Sequence, residues 1–266
     1  MAAPRLRGYA GIPARGPRMS FKDHFSGHAA IYREARPHYP PELYAWLAEQ
    51  APARALAWDA GCGNGQASVA LAAQFARVVG TDPSAAQIAN AETHPCVEYR
   101  VEPAEQSTLA DGSVDLVNVA QALHWFDHAR FNAEARRVLK PGGVIAATAY
   151  ADCSIEPAID RIKDRLYVDL LDDCWPPERR LLEQGYRTLP FPFEEIAAPA
   201  FTMRVVWTLP QFLAYLRSWS ATQRYLKARG EDPVAIVAPA MAAAWGEAET
   251  PREVRWQFHV RVGRTR

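Results

Sequence analysis

The sequence predicts an α/β fold: a mostly parallel sheet covered by helices on both faces. Three observations point there. From about residue 41 to residue 150, short apolar runs alternate with longer amphipathic or Ala-rich segments. The runs are apolar throughout rather than alternately polar, as strands buried on both faces are. Finally, a glycine-dense stretch, WDAGCGNGQ (58–66), sits between the first such run and the first Ala-rich segment. That is where an open parallel sheet binds ligands, outside the carboxyl ends of its strands.

The elements follow in order. PELYAWLAEQ (41–50) reads as a helix with Pro41 in its first turn. ALAWDAG (55–61) is a buried strand, and GQASVALAAQFA (65–76) a helix. RVVGTD (77–82) is a second strand, and PSAAQIANAETH (83–94) a helix opened by Pro83. VEYRVEP (97–103) and SVDLVNVAQ (113–121) are further strands, the latter preceded by the turn-forming Asp111–Gly112. DHARFNAEARRVLK (127–140) is helical and stopped by PGG; VIAATAY (144–150) is the fifth strand. Beyond Tyr150 the rhythm changes. Residues 155–188 and 210–248 read as helical, broken by WPP (175–177) and near RGEDP. AFTMRVVWTL (200–209) and VRWQFHVRVGR (254–264) have strand character. The second half therefore reads as a completed sheet with a helical insertion.

Length and composition bound the function. A chain of 266 residues carries one sizeable core, or one domain with a subdomain. Thirty basic residues balance thirty acidic ones, which argues against a dedicated nucleic-acid binder, because counterion release needs a cationic face. Cys62, Cys96, Cys153 and Cys174 have no metal-ligand spacing and suggest no secreted disulfide framework. No metal is expected. No apolar run reaches membrane-spanning length. The arginine-rich start lacks both an acid and an apolar signal-peptide core. Residues 1–19 are expected to form a mobile tail, with Met19 a candidate translation start. Residues 20–266 are expected to form one domain: a core over about 40–150, then a cap and the last two strands over 151–266. The expected location is cytoplasmic, as a monomer or homodimer.

The loop chemistry narrows the ligand. Gln66 stands where a dinucleotide fingerprint has its third glycine, and the Gly-Lys-Ser/Thr of a triphosphate loop is absent. Asp59, just ahead of the glycines, would repel phosphate but suits an ammonium or sulfonium group. Asp82 ends the next strand, where a carboxylate can accept hydrogen bonds from both ribose hydroxyls. Ribose plus a cationic amino-acid tail, without phosphate, describes S-adenosylmethionine. Both acids also have a simpler reading, as helix caps.

With WDAGCGNGQ, GTDPS, DGSVDLVNVAQALHWFD and RVLKPGG in this order, the sequence resembles class I S-adenosylmethionine-dependent methyltransferases. Within them it is most similar to the type 11 group that includes trans-aconitate methyltransferase-like enzymes. YREARPHYP (32–40), YLRSWSATQRY and the final VRWQFHVRVGR extend the likeness. The resemblance implies a Rossmann-like seven-stranded, mostly parallel sheet with one reversed strand and a helical cap. Strands should begin near 54, 77, 97, 114 and 143, with the last two near 201–208 and 254–263. It implies that Asp59 and Gly61 line the methionine amino end, and that Gly63 and Gly65 shape the loop around Cys62. Asp82, followed by Pro83, should hold the ribose. Ala104 and Glu105 fall at the adenine, where Pro103 replaces an acid common in the family. Gln121 falls beside the donor sulfur. Trp125 either packs on the adenosine or belongs to the core. The segment with Tyr32 and Arg36 should fold over the cofactor, Arg36 pairing with its carboxylate.

The expected function is methyl transfer from S-adenosylmethionine, leaving S-adenosylhomocysteine, to a small-molecule acceptor, with a carboxylate favoured. RNA or protein methylation, or cofactor binding without catalysis, are the alternatives. A carboxylate needs no base, whereas a hydroxyl or amine does. His124, just beyond the fourth strand, is the candidate base; its other reading is a structural histidine. Trp175, Tyr186, Phe191, Phe193, Trp207, Tyr215, Trp219 and Tyr225 supply aromatic walls for an acceptor pocket. Arg187, Arg217 and Arg224 are candidate readers of its carboxylate.

Overall fold

The computed structural model describes residues 37–266. The tail over 1–19, Met19, Tyr32 and Arg36 lie outside them. Helix α1 (Pro41–Gln50) leads into β1 (Leu56–Ala60), α2 (Gln66–Ala72), β2 (Arg77–Asp82), α3 (Ala85–Ala89), β3 (Val97–Val101) and β4 (Val114–Ala120). A 3-10 turn (Leu123–Trp125), α4 (His128–Val138) and the long β5 (Leu139–Ser154) follow. Then come α5 (Pro157–Asp164), a π-helical segment (Arg165–Leu170), α6 (Arg179–Glu183), and the short strands β6 (Glu194–Ile196) and β7 (Met203–Trp207). The chain closes with α7 (Leu209–Arg217), α8 (Ser220–Arg229), α9 (Pro233–Trp245) and β8 (Arg252–Arg264).

The sheet order is β3-β2-β1-β4-β5-β8-β6, with β7 also pairing β8. Strands β1 to β5 are mutually parallel, and β8 runs against β5, β6 and β7, so β8 is the reversed strand. There are eight strands rather than seven because one sheet position is shared. Strand β6 pairs with residues 262–264 of β8, and β7 pairs with 252–256. The three residues of β6, Glu-Glu-Ile, carry no apolar run, and only pairing with β8 makes them a strand. Strand β5 starts at Leu139 rather than near 143. Leu139 pairs with Val114, and the register then shifts to join Leu116 with Val144.

Three apolar clusters result. One lies between the sheet and α4 and α6, with Trp58, Val117, Phe131, Ala147 and Tyr186. One lies on the opposite face under α1 and α2, with Leu43, Tyr44, Leu47, Ala57, Leu71, Leu116 and Ala146. The third is the cap, where α5 and α7–α9 pack with Trp207, Phe212, Tyr215, Trp245 and Trp256. Among the described residues, no helix is long and apolar enough to cross a membrane.

Candidate active site

Strand β1 delivers the glycine loop to the edge of the sheet. Gly61, Gly63 and Gly65 all have positive φ (70°, 54° and 84°), a conformation side chains disfavour. Their surroundings differ. A Cβ on Gly61 would sit 2.6 Å from the Ala122 Cβ, and one on Gly65 2.1 Å from the Tyr99 hydroxyl oxygen. A Cβ on Gly63 would meet nothing within 4 Å. Two of the three glycines therefore make room for the protein itself. Gly63 alone turns its bare backbone to open space.

The loop is pinned by backbone bonds. The Gly61 and Cys62 N–H groups donate to the Thr81 carbonyl at 2.8 and 2.9 Å. Cys62 is buried, and burial first, then the Asp59 and Asp82 charges, raises its thiol pKa well above the ordinary value. Asp82, at the end of β2, accepts from the Gly63 N–H at 3.0 Å and the Ser84 N–H at 2.9 Å. It thus ties the loop to the start of α3. The N-cap of α3 is Ser84 rather than Asp82, and Pro83 between them is exposed.

Asp59 is fully buried, and accepts from Ser68 Oγ at 2.6 Å and Asn118 Nδ2 at 2.8 Å. Burial, helped by the Asp82 charge and opposed by those hydrogen bonds, raises its pKa to about 6. Asp115 is equally buried, at the other end of the sheet, but it accepts two backbone N–H groups and pairs with Lys140. Asp59 has no cation partner among the described residues. Other groups nearby are also unsatisfied. Tyr44 Oη, Asn118 Oδ1 and Thr148 Oγ1 are buried without a hydrogen-bond partner among the described residues. Asp59, Asn118 and Thr148 each lie two residues beyond Ala57, Leu116 and Ala146, all in the cluster under α1 and α2. Strand alternation therefore puts them on the face that Tyr44 covers. Tyr44 shares the electrostatics: burial first, then the Asp59 charge, raises its pKa well above the ordinary value.

Gln121 follows β4 in the left-handed region (φ 55°). Its side chain is engaged, donating to the Tyr150 carbonyl at 3.0 Å and accepting from the Tyr150 N–H at 3.2 Å. That reciprocal pair clamps the ends of β4 and β5, and such strain is kept where the surroundings over-determine it. His124 is buried, and its Nδ1 lies 3.0 Å from the Tyr186 hydroxyl oxygen. Burial, then the Arg179 and His128 charges, lowers its pKa to about 3, so the ring stays neutral at ordinary pH. Trp125 is half-buried, its ring 4.5 Å from that of His124. Ala104 is buried, and Glu105 accepts from the Asp127 N–H at 2.8 Å, tying the loop after β3 to the cap of α4.

Of the segment preceding the core, residues 37–40 are described. Gln66 Nε2 lies 3.2 Å from the Pro37 carbonyl oxygen, to which it donates, and 2.9 Å from His38 Nδ1. Tyr39 packs on Tyr44, Tyr150 and Phe258. The candidate substrate aromatics are largely spoken for. Trp207, Tyr215, Trp219 and Tyr225 are buried in the cap, where Trp256 donates to the Tyr215 hydroxyl. Phe193 is buried beneath Arg136, and Phe191 lies half-buried under Arg261. Arg217 pairs with Asp232, Arg224 donates to the Cys174 carbonyl, and Arg187 is exposed.

A family model described as a methyltransferase domain matches residues 58–147. An inferred methyltransferase of Dictyostelium discoideum is 35% identical over 216 residues, covering 80% of this chain and 82% of that one. The chain belongs to the class I S-adenosylmethionine-dependent methyltransferases. This methyltransferase is also 51% identical to a solved structure, an inferred type II methyltransferase from Anaeromyxobacter dehalogenans. The TM-score is 0.81, with 86% of this chain and 97% of that chain covered. A trans-aconitate 2-methyltransferase of Deinococcus radiodurans is 36% identical over 124 residues, 46% of this methyltransferase and 47% of that protein.

Sequence reasoning missed Tyr44, Ser68, Tyr99, Asn118 and Thr148, and placed Tyr186 in an acceptor wall rather than against His124. Ser68 stands one turn past the loop, and this spacing was a usable signal. The others arrive from distant segments, and no local pattern announces them.

Proposed function

We propose that this methyltransferase binds S-adenosylmethionine along the Asp59–Gln66 loop and Asp82, and methylates a carboxylate of a small molecule. One observation carries the donor assignment. A desolvated carboxylate without a cation partner among the described residues, Asp59, lies at a sheet face with three buried oxygens that lack partners among those residues, two on the strands and one on the covering helix. Buried polar groups are normally paired, and an ammonium brings both the missing charge and three N–H donors. The residues present therefore fit the amino end of the donor.

When bound, S-adenosylmethionine supplies a methyl group already activated on a sulfonium. Gly63 offers bare backbone for close approach. Asp82, whose carboxylate the Gly63 and Ser84 N–H groups hold in place, would hold the ribose hydroxyls. Ala104 and Trp125 offer apolar surface to the adenine, with Glu105 tied to the α4 cap at Asp127. The Gln121–Tyr150 clamp fixes the strand ends between donor and acceptor. Pro37 and His38 meet the loop at Gln66, and we assign Arg36 and Tyr32, which precede them in the sequence, to the carboxylate end of the donor. Residues 20–266 are taken as one domain, because β5 and β8 contribute to both sheet and cap cores.

His124 favours a carboxylate acceptor. A neutral imidazole held at Tyr186, with its pKa near 3, is a poor base at neutral pH, and a carboxylate needs none. His124 then positions the 123–125 turn. The trans-aconitate 2-methyltransferase among the relatives supports the same class. Release of S-adenosylhomocysteine should be screened against small carboxylates, alcohols, amines, RNA and protein. Turnover confined to carboxylates is expected; turnover confined to RNA, protein or amines would refute the reading.

A further inference from the structure

We infer that Arg179 anchors the acceptor by a carboxylate other than the one that is methylated. The inference rests on the proposed transfer to a small carboxylate, and concerns a residue of the cap rather than the donor loop.

Arg179 opens α6, which packs against β5 and the 123–125 turn. Its charge is close enough to act on both His124 and Tyr186. The guanidinium carbon lies 4.6 Å from the ring centre of Trp175 and 5.4 Å from that of Tyr167. Nε donates to the Tyr167 hydroxyl at 2.9 Å. The nearest carboxylate, Glu183, is 3.8 Å from Nε and already accepts from that hydroxyl at 2.6 Å. Nothing among the described residues accepts from the two terminal amino groups. The side chain is only 19% exposed. This is a largely desolvated cation, packed against the Trp175 ring and tethered through Nε to the Tyr167 hydroxyl, with its terminal amino groups unused.

The support beneath it is specialised. Tyr167 lies in the π-helical segment, a rare geometry that recurs at functional sites. The Trp175 indole N–H donates to the Tyr167 carbonyl at 3.0 Å, and Trp219 packs edge-on against Tyr167 and tilted against Trp175. An arginine fixed in this way by a ring contact and an Nε hydrogen bond is pre-organised for the planar fork of a carboxylate. The held group is not the nucleophile. Methyl transfer neutralises the attacking carboxylate, and a guanidinium paired with it would favour the charged ground state over the transition state. The acceptor therefore carries at least two anionic groups.

The test is calorimetric titration in the presence of saturating S-adenosylhomocysteine. The probes are a panel of small mono-, di- and tricarboxylates, each matched with its uncharged amide. The wild type should bind some di- or tricarboxylates and none of their amides. Arg179→Gln should weaken those carboxylates by about tenfold or more, the scale of a charge-assisted pair, and Arg179→Lys should recover part of the loss. Affinity for S-adenosylhomocysteine should match the wild type in both variants, which also reports on folding. Failure of every carboxylate to bind the wild type, or survival of the carboxylate preference in Arg179→Gln, overturns the inference. Failure of S-adenosylhomocysteine itself to bind would instead bring down the donor reading.

Discussion

The glycine-loop edge and the cap are built on opposite principles. In the cap, large side chains satisfy one another: Trp207, Phe212, Tyr215, Trp245 and Trp256 interlock, the Trp256 indole donates to the Tyr215 hydroxyl and the Trp245 indole to the Thr250 carbonyl. At the loop edge, buried polar groups are short of partners among the described residues: Asp59 without a cation, and Tyr44, Asn118 and Thr148 each with an unused oxygen. The cap spends its burial on stability, and the loop edge holds polar capacity back for a ligand. Substitutions in the two regions should therefore separate stability from donor binding.

The largest effect is expected in the cap. Phe212 is fully buried against Tyr215 and Trp245. Phe212→Ala should destabilise the protein by about 3–5 kcal/mol in urea unfolding, through lost transfer energy and a cavity. S-adenosylhomocysteine affinity should change little under conditions where the variant is folded. A parallel loss of donor affinity would break the comparison.

Asp59→Asn should do the reverse. Because folding raises the Asp59 pKa to about 6, the protonated carboxyl is the better-tolerated form in the fold. Its contribution to stability is complete below the unfolded pKa and is lost as pH rises through 6. At neutral pH the ligand-free asparagine variant should thus be more stable than the wild type, by on the order of 3 kcal/mol. Turning the Asn118 amide would satisfy the new group. Thermal unfolding from pH 4 to 8 checks this: the wild type should lose stability across the range relative to the variant.

Asp82→Ala should cost roughly 2–3 kcal/mol in donor binding, because the ribose acceptors and the Gly63 and Ser84 tethers are lost together. The smallest effect is Gly63→Ala, at about 1 kcal/mol of stability from its positive φ alone. Gly65→Ala should cost more, since its new methyl meets Tyr99. Equal losses at Gly63 and Gly65 would show that both glycines serve only the backbone.

The same contrast explains what the sequence disclosed. Strands β1 to β4, the loop and both carboxylates were legible because strand, loop and helix are consecutive, and the residue types carry their own chemistry. The cap helices were legible as helices, but their roles were not. Tryptophans and tyrosines at 207–225 suit a pocket wall as well as a core, and only the packing assigns them to the core. Arg217 and Arg224 had the chemistry of substrate readers, yet each is engaged within the cap. Arg179 was passed over because its shelf is assembled from Tyr167, Trp175 and Glu183, none adjacent in sequence. Strand β6 was hidden for the same reason, since its partner residues lie 66 to 70 positions downstream.

The central claim is that a buried, ionisable Asp59 holds the ammonium end of the donor. Calorimetric titration of S-adenosylhomocysteine from pH 5 to 7 tests it most directly. Binding requires the ionised carboxylate, so wild-type affinity should fall about tenfold between pH 7 and pH 5, as Asp59 takes up its proton. Asp59→Asn should bind more weakly than the wild type at pH 7, with affinity flat across the range. A flat wild-type profile, or an asparagine variant that binds as tightly as the wild type at pH 7, would contradict the account.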